Sequence, residues 1–291
     1  MTTPTLPGAL VSPAWLAEHL HHPRVRIVDA TWAMPGTAAT HPRDDFTEEH
    51  IPGAVFFDID AIARPGTDPL PHMLPTPGDF AAKVGALGIG NDDVVVCYDT
   101  HGLQTAARAW WMFRVFGHDR VAVLDGGLPA WQAARLPVTG GPAKPEPKAF
   151  AAQFRPELVR SREQILANIA AKAETVIDAR NQPRFEGTVD DPWKGRRRGH
   201  IPGSRNLPFT ELLDPVTKTV QPLPVLKAAF ERAGVEPGKP VAASCGSGVT
   251  ACVLVLGLHL LGRTDVPVYD GSWAEWGLPG DTPTETGPAQ P

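Results

Sequence analysis

Cysteine is scarce in this chain: three residues in 291, at Cys97, Cys245 and Cys252. So few, and so widely spaced, make neither a disulfide framework nor the paired ligands of a metal site, and they suit a reducing compartment. An excess of basic charge is also missing. The formal net charge is −5 and the pI about 6.1, which removes any general attraction to nucleic acid. The one basic run, Arg196-Arg197-Arg198, is too short to reverse that and reads as a solvated loop. Long hydrophobic runs are absent too: the apolar segment 251–261 falls far short of the roughly 20 residues that a membrane span needs. The first twenty residues show no cationic start followed by an apolar core. These absences lead to the expectation of a soluble cytoplasmic protein whose partners include no metal, no nucleic acid and no membrane.

What the chain does have is a copy of itself. VDATW at 28–32 matches IDARN at 177–181, with Asp29 and Asp178 149 positions apart. HIPGA from His50 matches HIPGS from His200 at a spacing of 150, and VVVCYDTHG matches VAASCGSG with Asp99 opposite Cys245 at 146. DGGLPAW from Asp125 matches DGSWAEW from Asp270 at 145. Four blocks in one order at nearly constant spacing identify a duplicated domain. Within each copy, short apolar runs alternate with helical patterns, which predicts an α/β fold on a parallel sheet covered on both faces.

In the first copy helices are expected from Ser12-Pro13 to about His21, from a Thr76 cap to about Leu87, and over 103–116 and 128–134. Strands are expected over 26–30, 55–57, 94–98 and 121–124. In the second, helices should start at Arg162, Leu223 and Val249, and strands should cover 175–178, 241–244 and 266–269. Residues 137–156, rich in Pro, Ala, Lys and Glu, read as a semi-rigid linker. The expected division is therefore 1–140, a linker 141–157, and 158–291. The Gly-, Pro- and Thr-rich tail after Gly277 should form an ordered wrap that frays at its end.

The chemistry concentrates at residues 241–250, VAASCGSGVT. An apolar run ends in Cys245, and Gly246 and Gly248 let the backbone take positive φ and turn its N–H groups inward, at the positive end of the following helix. Such a nest stabilises an anion and lowers a cysteine pKa from about 8.5 to roughly 3.5–7.5, so Cys245 should be largely thiolate at neutral pH. It is the best nucleophile in the chain. Cys97 and Cys252 read as packed core residues. At the position of Cys245 the first copy has Asp99, so only the second copy should carry covalent chemistry.

These blocks, with CGSGVT, the two HIPG turns and PHMLP at 71–75, resemble the tandem rhodanese superfamily, and within it the branch that draws sulfur from mercaptopyruvate. The likeness covers nearly the whole chain. It implies two tandem rhodanese-like domains, the first non-catalytic and the second catalytic, with no cofactor. Cys245 would carry sulfur as a persulfide, release pyruvate, and pass the sulfur to a thiol acceptor such as thioredoxin or a small thiol, or to cyanide. By the same resemblance Asp60 of FFDID, His72 of PHMLP and Ser247 form a polar relay, and Arg184 holds the substrate carboxylate. Gly246, Gly248, Val249 and Thr250 line the cradle.

Relatives carry a second arginine seven residues before the HIPG histidine; here that position is Trp193, with Lys194 beside it. Either Lys194 or one of Arg196 to Arg198 substitutes, or the acid binds through Arg184 alone. Relatives that prefer thiosulfate carry Arg and Lys where this chain has Gly246 and Ser247, so the neutral loop implies mercaptopyruvate as donor. Two further readings stand beside this one: a thiosulfate sulfurtransferase, and a non-catalytic sulfur carrier or redox-sensing module that needs only a reactive Cys245. A cysteine phosphatase is disfavoured, because CGSGVT has no arginine to close a phosphate cradle.

Overall fold

The computed structural model describes residues 3–34 and 37–289. Two compact units are present: unit 1 comprises Met1–Pro65, Pro75–Arg155 and Pro215–Val220, and unit 2 comprises Gly66–Leu74, Pro156–Asp214 and Gln221–Pro291. A short piece of each repeat therefore belongs to the unit built by the other.

Unit 1 runs β1 (Leu10–Val11), α1 (Pro13–His19), β2 (Val25–Asp29), α2 (Pro42–Glu48), β3 (Ala54–Phe56), α3 (Ile59–Ile62), α4 (Pro77–Ala86), β4 (Val94–Tyr98), α5 (Ala106–Val115), β5 (Val121–Leu124) and α6 (Gly127–Ala133). Its five strands are parallel in the order β1-β5-β4-β2-β3. The central strand β4 reads VVVCY and is buried at every residue, as a strand covered on both faces must be. Caps act as the sequence implies: Ser12 Oγ accepts from the Trp15 N–H at 3.2 Å, with Pro13 at the helix start. At α4, Thr76 Oγ1 accepts from the Asp79 N–H and donates to Asp79 Oδ2, so the reciprocal bond of the capping box runs to the hydroxyl. Leu16, Ile27, Phe46, Phe56, Val96 and Trp131 are among the buried residues of the core.

Unit 2 repeats the plan with β6 (Val159–Arg160), α7 (Arg162–Ala171), β7 (Thr175–Asp178), α8 (Gln182–Glu186), β8 (Arg205–Asn206), α9 (Leu223–Arg232), β9 (Val241–Ser244), α10 (Ala251–Leu260), β10 (Val268–Tyr269) and α11 (Ser272–Trp276). Its parallel order, β6-β10-β9-β7-β8, is that of unit 1. Ser161 and Gln164 form a full capping box on α7. Smaller devices are duplicated too. The HIPG histidines His50 and His200 stack on Phe46 and Phe185 and reach those residues' carbonyls through Nδ1. Trp131 and Trp276 donate through Nε1 to the carbonyls of Pro137 and Pro283.

The differences from the expected elements have local causes. α5 begins at Ala106, not at 103, because the N–H groups of Gln104, Thr105 and Ala106 turn onto the Asp99 carboxylate. α10 likewise starts two residues after Val249, and β10 is confined to Val268–Tyr269. The two-residue strands β1, β6 and β8 and the short helices α2, α3, α8 and α11 are too brief to leave a period in sequence. Residues 137–155, expected as a linker, lie along unit 1: Phe150 is buried, Lys148 pairs with Asp93, and the Arg155 N–H donates to the Val115 carbonyl. The tail returns to unit 2 through a bridge between His200 and Glu285; its end lies outside the described residues.

Candidate active site

Cys245 follows β9, the central strand of unit 2, at the carboxyl end where open parallel sheets present their ligands. Its backbone is fixed by the DGSWA segment. The Cys245 N–H donates to Ser272 Oγ at 3.1 Å, its carbonyl accepts from the Trp273 N–H at 3.0 Å, and the Gly246 carbonyl accepts from the Ala274 N–H at 2.7 Å. Ser272 is wholly buried, donates to the Tyr269 carbonyl, and holds φ at +47°, a left-handed conformation costly for a residue with a side chain. Sequence reasoning passed over Ser272. The repeat carried the signal, since the position 145 earlier is Gly127, with φ +55°.

The two loop glycines serve different ends. Gly248 takes φ +76°, whereas Gly246 does not enter the left-handed region. A Cβ on Gly246 would lie 2.6 Å from Arg184 Nη2 and 3.5 Å from Trp193 Nε1. The expectation of positive φ at both is thus corrected: Gly246 is there for space. Thr250 precedes α10 without a side-chain cap bond, Val249 is buried, and the Cys252 thiol donates to the Gly248 carbonyl at 3.2 Å. Cys97 lies in β4, where burial pushes its thiol up.

Ser247 Oγ lies 3.1 Å from His72 Nδ1, and both residues are buried. They are 175 positions apart, brought together because residues 66–74 belong to unit 2. The segment is tied down on either side: the Leu74 N–H donates to Asp270 Oδ2 at 2.7 Å, and Arg196 Nη2 donates to the Pro69 carbonyl at 2.5 Å.

Arg184 sits on α8, whose first turn is capped when Asn181 Oδ1 accepts from the Arg184 N–H. Its Nε and Nη2 donate to Asp191 Oδ2 at 3.2 and 2.8 Å. The Asp191 side chain is only 3% exposed; its Oδ1 accepts from the Trp193 N–H, and Arg180 Nη1 lies 3.6 Å from Oδ2. Nothing in sequence distinguished Asp191 from Asp190, an exposed partner of Arg198. Trp193 presents its ring edge-to-face with His72 at 5.8 Å between centroids. Lys194 is exposed.

The solvated basic loop expected at 196–198 is corrected. Arg196 donates to the carbonyls of Lys194, Ala274 and Pro69, and Arg197 to those of Trp276 and Thr282; only Arg198 is exposed. Backbone carbonyls left by the irregular loops take these guanidinium donors.

Unit 1 has the same plan with the anion built in. Asp99 follows β4, is wholly buried, and accepts N–H bonds from His101, Gln104, Thr105 and Ala106 at 2.8 to 2.9 Å. Lys218, in the segment that unit 1 receives, faces Gly102 of this loop. Its φ of +59° equals that of His72, 146 positions earlier. Asp60 also belongs to unit 1: on α3, it accepts from Trp32 Nε1 at 2.9 Å and lines a cavity of about 310 Å³ with Trp32, Phe56 and Asp58.

The family profile for the rhodanese-like domain matches residues 12–134 and again 161–278. The chain belongs to the rhodanese family. Among tandem rhodaneses it is 46% identical over 282 residues to 3-mercaptopyruvate sulfurtransferase of Rattus norvegicus, covering 95% of this chain and 94% of the relative. It is 44% identical over 277 residues to thiosulfate sulfurtransferase of Cricetulus griseus, covering 92% and 91%. The crystal structure of SseA from Escherichia coli, described as a 3-mercaptopyruvate sulfotransferase, superposes with a TM-score of 0.84 at 41% identity over 91% of this chain and 99% of that one. Among the described residues of this rhodanese, no helix is long and apolar enough to cross a membrane.

Proposed function

We propose that this chain is a 3-mercaptopyruvate sulfurtransferase that works through a Cys245 persulfide. The observation that carries the reading is the position of Cys245 at the carboxyl end of a central strand, with the Arg184 guanidinium over the next residue and Ser247 of the same loop paired with His72. The thiolate attacks the sulfur of mercaptopyruvate, an S–S bond forms, and the C–S bond breaks with its electron pair going to the enolate of pyruvate. The thiol proton of the donor ends on that carbon by way of Ser247 and His72. Arg184 holds the donor carboxylate, and the N–H groups from Gly246 to Thr250 hold the sulfur anion. Transfer of the outer sulfur to a thiol such as thioredoxin, or to cyanide, restores the thiolate. Lys194 is a weaker candidate for the carboxylate, as an exposed ammonium lacks the fork of a guanidinium. Three free cysteines suit a reducing, cytoplasmic setting.

The thiosulfate reading is favoured by the similarity to the Cricetulus griseus enzyme and to two Arabidopsis thaliana relatives named for both thiosulfate and 3-mercaptopyruvate. The neutral loop argues the other way, because thiosulfate is a dianion and sulfite leaves fully charged. Rates with mercaptopyruvate, thiosulfate and an aryl phosphate decide between them: kcat/KM should be at least about tenfold higher for mercaptopyruvate, a difference of about 1.4 kcal/mol in transition-state stabilisation. Preference for thiosulfate overturns the donor assignment. Intact mass after donor treatment should rise by about one sulfur on the wild type and not on Cys245→Ser; a sensor or passive carrier would take sulfur once without turnover.

A further inference from the structure

Arg184 is a long side chain on a five-residue helix, and free guanidinium groups sample many rotamers at an entropic cost of about 2 kcal/mol. Its position over the Cys245 loop therefore has to be imposed. Asp191 imposes it by taking the side-on edge, with Nε and Nη2 both donating to Oδ2. A guanidinium has five donors in a planar fork, and among the described residues Nη1 makes no hydrogen bond. The end-on edge, formed by Nη1 and the second hydrogen of Nη2, is left for an incoming planar carboxylate, which it can grip with two parallel bonds.

Asp191 is itself held. Its buried carboxylate lies 3.6 Å from Arg180 Nη1; Arg180 is paired with Asp178 and lies over the Trp273 ring at 4.5 Å. Trp273 in turn donates its N–H to the Cys245 carbonyl. Two guanidiniums and two carboxylates balance one another here, and the network runs from the loop's own backbone to the cation above it. We propose that Asp191 is a positioning residue for the carboxylate of the sulfur donor, acting through the orientation of Arg184. The proposal rests on the reading of Arg184 as the carboxylate holder.

The test compares mercaptopyruvate with mercaptoacetone, which has the same thiol and ketone and no carboxylate, in wild type, Asp191→Asn, Asp191→Glu, Arg184→Ala and the double variant Arg184→Ala with Asp191→Asn. The quantity read is the ratio of kcat/KM for the two donors within one sample, so incomplete folding of a variant cancels. Asp191→Asn should lower that ratio by about tenfold or more, through KM for mercaptopyruvate rather than kcat. Asp191→Glu, which keeps the carboxylate, should recover part of it. The double variant should be no worse than Arg184→Ala. Equal loss with both donors, or an unchanged ratio, overturns the role of Asp191. A ratio already unchanged in Arg184→Ala removes Arg184 from the donor site and the proposal with it.

Discussion

Asp99 offers the sharpest test of the idea that unit 1 is the same nest with its anion built in. Asp99→Ala leaves four N–H groups, now on Oδ1 and Oδ2 at 2.8 to 2.9 Å, without that acceptor, those of Thr105 and Ala106 buried and those of His101 and Gln104 partly so. A hydrogen bond to a charged group contributes about 1.5–3 kcal/mol. The four act on one carboxylate and are not additive, so a loss of two to three bonds' worth, about 4–6 kcal/mol, is expected. That rivals the whole stability of a domain, about 5–15 kcal/mol, and places Asp99→Ala near the threshold of folding.

Asp99→Asn is milder. Its oxygen can face the three donors that converge on Oδ2, but its NH2 then meets the His101 N–H. One bond and the charge are lost, a cost of about 2–3 kcal/mol. At about 2–4 °C per kcal/mol for a unit of this size, Tm should fall by roughly 4–12 °C. Circular dichroism melts of wild type, Asp99→Asn and Asp99→Ala measure it. An Asn variant that melts within about 1 °C of wild type would refute the argument, because the nest would then not need an anion.

Arg184→Ala should raise KM for mercaptopyruvate by roughly 10- to 150-fold, the worth of one charge-assisted bond, and Trp193→Arg should lower KM if an arginine at that position reaches the carboxylate; steady-state rates check both. Residues 157–291 expressed alone lack His72 and the 66–74 segment that belongs to unit 2, so kcat/KM should collapse, and a wild-type value would show that the segment is not part of the site. Cys97→Ser and Cys252→Ser, at buried packed positions, should leave sulfur uptake on Cys245 intact by mass spectrometry. Burial lowers the pKa of both His118 and His200 below the ordinary value. The unfolded chain then binds more protons than the native one below about 6.5, so stability should fall as pH drops through that value. Urea unfolding at several pH values reads the slope, which His200→Gln should flatten.

The repeat, the order of strands and helices, and the position of Cys245 were legible in sequence, because each rests on neighbours: a strand is an apolar run, a cap is three residues, and a duplicated block is a string of letters. The strand 94–98 and the strand 241–244 were read to the residue for this reason, since full burial leaves an unbroken apolar run. Beyond that reach lay everything made by loops that meet at the carboxyl ends of the strands. The meeting of Ser247 with His72 across 175 positions was implied by the family resemblance and not by spacing; beyond both, Asp191 and not Asp190 turns inward, Gly246 yields its space to Arg184, and Ser272 carries a left-handed φ under the cysteine. None of these leaves a period or a motif, because a parallel sheet gathers its loops at one end whatever their spacing along the chain. The sequence by itself determined the repeated α/β fold and singled out Cys245 as the candidate nucleophile; the tertiary structure decided how the loops around it meet, since that depends on distances in space that chain separation does not encode.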